Sequence, residues 1–347
     1  EDHLLKKLVP GLVVGALVFG SSAVAAQDGG GTLAAVQERG EVVCGVNGGL
    51  PGMSVLNEET GVFEGMDADY CRAIAAAVLG DAEAVVYTPL TADQRATAIQ
   101  GGEVDVIFRN TTHTLSRDAG WGEFGPTIFY DGQGMMVRED LGVSTLEELD
   151  GAAICVTSGT TTELNLADQM AFLGVSYEPV VAAEIDTVYG QYEEGRCDAV
   201  TADKSQLAGR RTSFADPSAH IILDATMSKE PLAPVVAAGD NQWADIVRWV
   251  VYATIEAEEL GIDSMNVGEF AGGDNPVVAR LLGEEGELGL ALGIADDFVA
   301  SVISAVGNYG EIYDRAFGPD TALAINRAGT VNDLWTNGGL LYSPPFR

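Results

Sequence analysis

The segment Val42-Val43-Cys44-Gly45-Val46-Asn47-Gly48-Gly49 decides the fold class, because a short apolar run fit for a buried strand passes directly into Asn-Gly-Gly, the composition of a tight loop. After a turn-rich stretch, residues 67–79 carry Tyr70, Ile74, Ala77 and Val78 at helical spacing and stop at Gly80. A strand at 84–87, a helix holding Arg95 and Ile99 that stops at Gly101-Gly102, and a strand at 104–108 continue the alternation. Strands alternating with helices predict a parallel sheet wound by right-handed crossovers.

The same grammar returns further on. A strand at 153–156 leads to Gly159-Thr160-Thr161-Thr162 as a turn and helix start, then a helix at 163–173, a strand at 175–179, a helix at 185–192 and a strand at 198–201 running into Ala202-Asp203. Two similar units in succession predict two α/β lobes. The extended segments 128–137 and 221–231 predict a hinge of two crossing connections. A strand at 235–238 and a helix at 243–260 bring the chain back to one lobe, and a Gly- and acid-rich tail leads to a final helix near 296–306.

Residues 1–26 have the layout of a cleaved secretory signal peptide: Lys6 and Lys7, an apolar run from Leu8 to about Phe19, and the small residues Ser21-Ser22-Ala23-Val24-Ala25-Ala26. Pro10 and Gly11 interrupt the run, which is shorter than the ~20 apolar residues of a membrane span. In an exported chain Cys44, Cys71, Cys155 and Cys197 allow two disulfides in three connectivities. Keeping each bridge within one sequence block favours Cys44–Cys71 and Cys155–Cys197; four buried thiols are the alternative. The cysteine spacings match no compact zinc pattern, so neither a metal nor a cofactor is expected.

Lys and Arg total 18 against 52 Asp and Glu, a formal net charge of −34. Removing residues 1–26 takes away Glu1, Asp2, Lys6 and Lys7 and leaves that charge unchanged. Such a field repels nucleic acid and anionic membrane surfaces, so neither is expected as a partner.

In open α/β sheets ligands sit beyond the carboxyl ends of the strands. At those positions lie Asn47 to Leu50, Arg109 to Thr114 with Arg117 one turn on, Gly159 to Thr162, and Asp203. Arg117 can grip a carboxylate bidentately, and Thr112 in the same loop can add a hydroxyl and an N–H. Gly159-Thr160-Thr161 opens a helix and offers unpaired backbone donors to an anion. Asp203 supplies the opposite sign, so together these residues suit a zwitterion. Taken singly, an Arg after a strand is commonly a surface ion pair and a Thr before a helix an N-cap. The chain carries no G-x-S-x-G elbow, H-E-x-x-H or P-loop.

Several stretches then resemble one family. They are Cys44-Gly45-Val46-Asn47-Gly48-Gly49-Leu50-Pro51-Gly52, Gly102-Glu103-Val104-Asp105-Val106, Arg109-Asn110-Thr111-Thr112, Thr114-Leu115-Ser116-Arg117-Asp118, Gly159-Thr160-Thr161-Thr162-Glu163, Gly195-Arg196-Cys197-Asp198, Ser228-Lys229-Glu230-Pro231-Leu232 and Val306-Gly307-Asn308-Tyr309-Gly310-Glu311. The family is that of the general L-amino-acid and glutamate/glutamine/aspartate/asparagine-binding proteins, periplasmic receptors of polar amino-acid ABC transporters. The resemblance covers nearly all of the chain after residue 26. It implies a two-lobed type II "Venus flytrap" with a C-terminal extension: residues 27–130 and 232–347 in lobe one, and residues 131–231 in lobe two. Such a receptor closes on one free L-amino acid in the periplasm and docks on an inner-membrane ABC permease; it is expected to work as a monomer, without a cofactor.

By the family pattern Arg117, with Thr112 and the backbone near Asn110, corresponds to the α-carboxylate clamp. Thr160 and Thr161 match the second lobe's donors to the same group, and Asp203 matches the acceptor for the α-ammonium. Arg95 stands where acidic-amino-acid binders place a side-chain-reading arginine, and Leu50 where many relatives place an aromatic lid. Asn47 stands where strict glutamate/aspartate receptors carry a second basic residue, which favours a broader ligand set that includes amides. The competing readings are an enzyme of dehydratase type on the same scaffold and a ligand sensor for a membrane signalling protein.

Overall fold

The strand Val42–Val46 lies inside a five-stranded sheet, between Val85–Pro89 and Val106–Ile107, with Val235–Val236 and Glu123–Phe124 beyond. A computed structural model describes residues 31–347; the export-signal reading of residues 1–26 falls outside them. The second sheet repeats the order: Tyr177–Ala182, Ala152–Thr157, Ala199–Asp203, Gln133–Arg138 and His220–Ile222.

Each sheet departs from the purely parallel expectation in one strand. Val235–Val236 runs against both of its neighbours, and so does Gln133–Arg138. Both are the strands by which the chain enters a lobe after crossing from the other, so the crossing itself reverses their direction. The crossings Phe129–Asp131 and Glu230–Leu232 pair antiparallel, with Glu230 opposite Asp131 and Leu232 opposite Phe129. A two-stranded connection of this kind can flex about its own axis while holding the lobes in register.

The turn-rich stretch after the first strand holds a small antiparallel sheet of Gly49–Leu50, Ser54–Asn57 and Val62–Glu64. Its strands are too short and polar for sequence patterning to separate from turns. Next comes the helix Met66–Leu79, entered at Gly65 and left at Gly80 in the left-handed conformation. At Gly65 a Cβ would lie 2.4 Å from the Met53 carbonyl oxygen, so only glycine fits. All of its side chains from Met66 to Val78 except Arg72 are buried. The sheet lies against this helix, and the helices Asn241–Glu259 and Phe298–Val306 pack on it as well, with Ala73, Ala76 and Ala77 permitting close approach.

The C-terminal extension therefore belongs to the core of lobe one, whose buried apolar cluster runs from Leu33 to Phe346. The last expected helix is not the last in the fold: Tyr309–Phe317 follows, started by a capping box in which Asn308 and Glu311 satisfy each other's backbone N–H. This helix places Tyr313 and Phe317 against Phe129 of the hinge, and the Tyr309 hydroxyl donates to the Ile128 carbonyl at 2.8 Å. Farther on, the Asn332 side chain accepts from the Tyr130 N–H at 2.7 Å and donates to the Tyr130 carbonyl at 3.0 Å, so it pairs with the free edge of a hinge strand as another strand would.

The disulfides join Cys44 to Cys71 and Cys155 to Cys197, each within one lobe. Loops of 27 and 42 residues correspond to about 3.5 and about 4 kcal/mol of chain-entropy stabilisation. One bridge ties the strand Val42–Val46 to the helix Met66–Leu79, and the other ties the strand Ala152–Thr157 to the turn before Ala199–Asp203.

Asn332→Ala is expected to remove both hydrogen bonds to the half-buried Tyr130 backbone, lowering stability by about 1–2 kcal/mol in urea unfolding. An unchanged midpoint would show that the hinge edge does not need its clip.

Candidate functional site

The carboxyl ends of both sheets face one cavity of about 410 Å³, counting the space at its mouth. Arg95, Arg109, Asn110, Thr112 and Arg117 line it from lobe one; Thr160, Thr161, Ile185, Asp203 and Gln206 line it from lobe two. Sequence reasoning placed seven of these: Arg95, Asn110, Thr112, Arg117, Thr160, Thr161 and Asp203. It quoted Arg109 without giving it a role, although its place as the first residues after a strand was visible, and it passed over Gln206.

Arg95 rises from the first turn of the helix Gln94–Gly101, and Arg117 sits in the short helix Leu115–Gly120, which Thr114 caps by accepting from the Arg117 N–H. Both guanidiniums lie over the ring of Trp121, at 5.4 and 4.7 Å from its centroid. Trp121 gave no sequence signal, yet its π face holds two like charges in place. Arg109 donates to the Leu90 carbonyl and to Asn110. Among the described residues no carboxylate lies within 4.0 Å of any of these three buried guanidiniums. Burial lowers the proton affinity of all three, with mutual repulsion adding to the effect on Arg95; Arg109 is pushed down to about 10.

Asp203 ends the strand Ala199–Asp203 on the opposite wall. It is 5% exposed, and its Oδ1 has no hydrogen-bond partner among the described residues. Burial raises its pKa well above the usual carboxylate range, with Asp131 and Glu230 adding to the rise. A buried carboxylate without a partner is costly unless a cation completes it.

The threonines divide by function. Thr160 is the N-cap of the helix Thr161–Leu173: its hydroxyl accepts from the Glu163 N–H at 3.1 Å and donates to the Thr157 carbonyl at 2.7 Å. The hydroxyls of Thr112 and Thr161 both donate to Oε2 of Glu230, at 2.6 and 2.7 Å. The three hydroxyl protons are thus held by the protein, which corrects the expectation of a free hydroxyl donor at Thr112. The N–H groups of Thr112 and Thr161 have no partner among the described residues and are what remains for an anion. Glu230, a hinge residue and 1% exposed, is a site residue that sequence reasoning passed over, although it sits in the quoted Ser-Lys-Glu-Pro-Leu.

Asn47 and Leu50 stand outside the cavity wall. Asn47 donates to the Asn110 side chain at 3.1 Å, and Asn110 in turn reaches Gln206 of lobe two at 3.4 Å, so Asn47 acts through Asn110. Leu50, expected among the ligand-contacting residues, is fully buried: it packs in the lobe-one core where lobe two abuts it at Gly209. Here the lobes meet closely. Arg210 donates to the Gly49 carbonyl at 2.9 Å, and a Cβ on Gly209 would lie 2.7 Å from the Pro51 carbonyl oxygen. Ser158 donates to Asp93 across the same cleft at 2.8 Å.

Two lobes, a two-strand hinge and a polar cleft carrying opposite charges on its two walls define a solute receptor that closes around a small polar molecule. The chain belongs to the bacterial extracellular solute-binding proteins, family 3, whose model matches residues 42–261. It is 48% identical over 334 residues to the general L-amino acid-binding periplasmic protein AapJ of Rhizobium johnstonii, covering 95% of this chain and 96% of that one. It is 46% identical over 335 residues to the glutamate/glutamine/aspartate/asparagine-binding protein BztA of Rhodobacter capsulatus, covering 95% and 98%. Among solved structures, the periplasmic binding protein of an ABC transporter from Brucella ovis, with glutathione bound, superposes with a TM-score of 0.88 at 46% identity over 91% of this chain and 99% of that one.

Gly209→Val is expected to obstruct the contact with Pro51 and so penalise the closed form by about 1–3 kcal/mol, lowering ligand affinity about 5- to 150-fold. The urea midpoint of the ligand-free protein should not move, because the clash exists only across the cleft.

A pH dependence follows from the buried carboxyls. Asp67 and Asp131 are pushed up to about 6 by burial, and Asp203 rises with them. The folded chain keeps protons that the unfolded chain releases near pH 4, so Asp67 and Asp131 stabilise the fold fully below that pH and lose their contribution as pH rises through about 6. Calorimetric scans should show the ligand-free melting temperature falling from pH 5 to pH 7. A cationic group set against Asp203 favours its ionised form, so the ligand-induced increment should grow as pH rises.

Proposed function

We propose that this protein is the periplasmic receptor of an ABC transporter for polar and acidic L-amino acids, with glutamate, glutamine, aspartate and asparagine as its ligand set. The observation that carries the reading is the placement of three buried guanidiniums on one wall and a buried carboxylate on the other, the guanidiniums without a carboxylate and Asp203 Oδ1 without a donor among the described residues. A zwitterion with an anionic or polar side chain complements both walls at once. In this reading Arg117 and the N–H groups of Thr112 and Thr161 take the α-carboxylate, Asp203 takes the α-ammonium, and Arg95 reads the distal group. The names of the Rhizobium and Rhodobacter relatives support the same ligand class.

Residues 27–130 with 232–347, and residues 131–231, are then the two lobes that close on the ligand, and residues 1–26 are the export signal. The closed receptor, acting as a monomer, presents its joined lobe surfaces to an inner-membrane permease and releases its cargo there. The receptor does no chemistry on its ligand. Its work is done by differential affinity: the open form can make the contacts of one lobe only, and the closed form those of both.

Asp203→Asn keeps shape and removes charge. In calorimetry it is expected to weaken glutamate binding by about 2–5 kcal/mol, or roughly 30- to several-thousand-fold. Arg117→Lys should fall in the same range, since an ammonium cannot reproduce the bidentate fork. Unchanged glutamate affinity in both variants would remove the assignment, and a change in ligand mass on incubation would replace a receptor with an enzyme.

A further inference from the structure

Beside the central cavity lies a second hollow of about 550 Å³, again counting its mouth, with Asn47, Thr91 and Gln94 on the lobe-one side and Glu184 on the lobe-two side. Arg109 and Ile185 line both spaces, so the two hollows adjoin at these side chains. The second hollow is lined by amide and hydroxyl side chains, with the Glu184 carboxylate acting on Arg109 from lobe two. Gln94 accepts from the Thr91 N–H through its Oε1 and keeps its amide N–H groups, while Asn47 is held by Asn110. Arg109 uses Nε on the Leu90 carbonyl and Nη1 on Asn110; its Nη2 has no partner among the described residues.

A free dicarboxylic amino acid employs Arg117, Asp203 and Arg95 and leaves this hollow and the remaining valence of Arg109 unused. We infer that the second hollow is a subsite for the part of a γ-glutamyl peptide beyond its first amide bond, with Arg109 gripping the terminal carboxylate and Asn47, Thr91 and Gln94 facing the amides. The inference rests on the amino-acid reading of the central cavity, because a γ-glutamyl residue keeps the free α-carboxylate and α-ammonium that Arg117 and Asp203 would hold. An α-linked peptide has lost that free α-carboxylate and does not fit the head-group clamp. Glutathione, bound in the Brucella relative, belongs to the γ-linked class.

The test is competition calorimetry on the full protein with three probes: glutamate, S-methylglutathione, whose thioether keeps both disulfides out of exchange, and the α-linked isomer of the same tripeptide. The expected result is that glutamate and S-methylglutathione compete and the α-linked isomer does not bind. Ala183→Trp, at an exposed position on the rim of the second hollow, should lower the affinity for S-methylglutathione by about tenfold or more while leaving glutamate within about twofold. Glutamate binding without competition from S-methylglutathione would overturn the subsite alone, as would equal loss of both ligands in Ala183→Trp. Binding of S-methylglutathione without glutamate would uphold the subsite and overturn the free-amino-acid reading. Binding of neither would overturn both.

Discussion

The separation of charge across the cleft is the constraint on which the rest depends. Arg95, Arg109 and Arg117 are buried on one lobe, and Asp203 is buried on the other. Neither set is neutralised by its own lobe, and charges held away from water are tolerated only where something pairs them. A zwitterion does this for both walls together, and only when the walls approach. Trp121 holds two of the guanidiniums over its face, while Asp67, itself buried, holds the Asn110 N–H at 2.9 Å and stands behind Arg109. The surroundings therefore position the cations without cancelling them.

Glu230 connects this electrostatic arrangement to the hinge. Its carboxylate gathers Thr112 from lobe one and Thr161 from lobe two on a single oxygen, and Asn165 on the other at 2.8 Å. Because Glu230 lies in a crossing strand paired with Asp131, any rotation of the lobes changes the distances between those hydroxyls and one fixed point. The C-terminal extension reaches the other crossing strand through Asn332, Tyr309 and the aromatic contacts of Phe129. Hinge, cleft and extension are thus one mechanical assembly, in which the extension supports the axis and Glu230 ties the axis to the cleft floor.

The alternation beginning at Val42 was legible because buried parallel strands read as apolar runs ending in loop residues, and the two-lobe organisation followed from its repetition. The reversed strand in each sheet was not legible, since direction is imposed by the crossing rather than by local pattern. Arg117 and Asp203 could be found from position after a strand, whereas Arg95 came only from the family resemblance. The fate of the threonine hydroxyls could not: whether Thr112 offers its O–H to a ligand depends on Glu230, 118 residues away. Leu50 illustrates the same limit. A position in a motif does not say which way a side chain points, and Leu50, expected to face the ligand, packs beside Gly209 where the lobes meet.

The net charge of −34 acts on another length scale. Exposed carboxylates are screened over roughly 8–10 Å at ordinary salt, whereas the buried arginines act at contact distance. The acidic exterior sets solubility and excludes polyanionic partners without choosing the ligand. The central claim is that ligand charge, bridging the two walls, drives closure. Small-angle X-ray scattering at a glutamate concentration shown by calorimetry to saturate the wild-type protein tests it most directly: the radius of gyration should fall on adding glutamate to wild-type protein and stay constant in Asp203→Asn at the same concentration. Identical scattering from free and saturated wild-type protein would contradict the account.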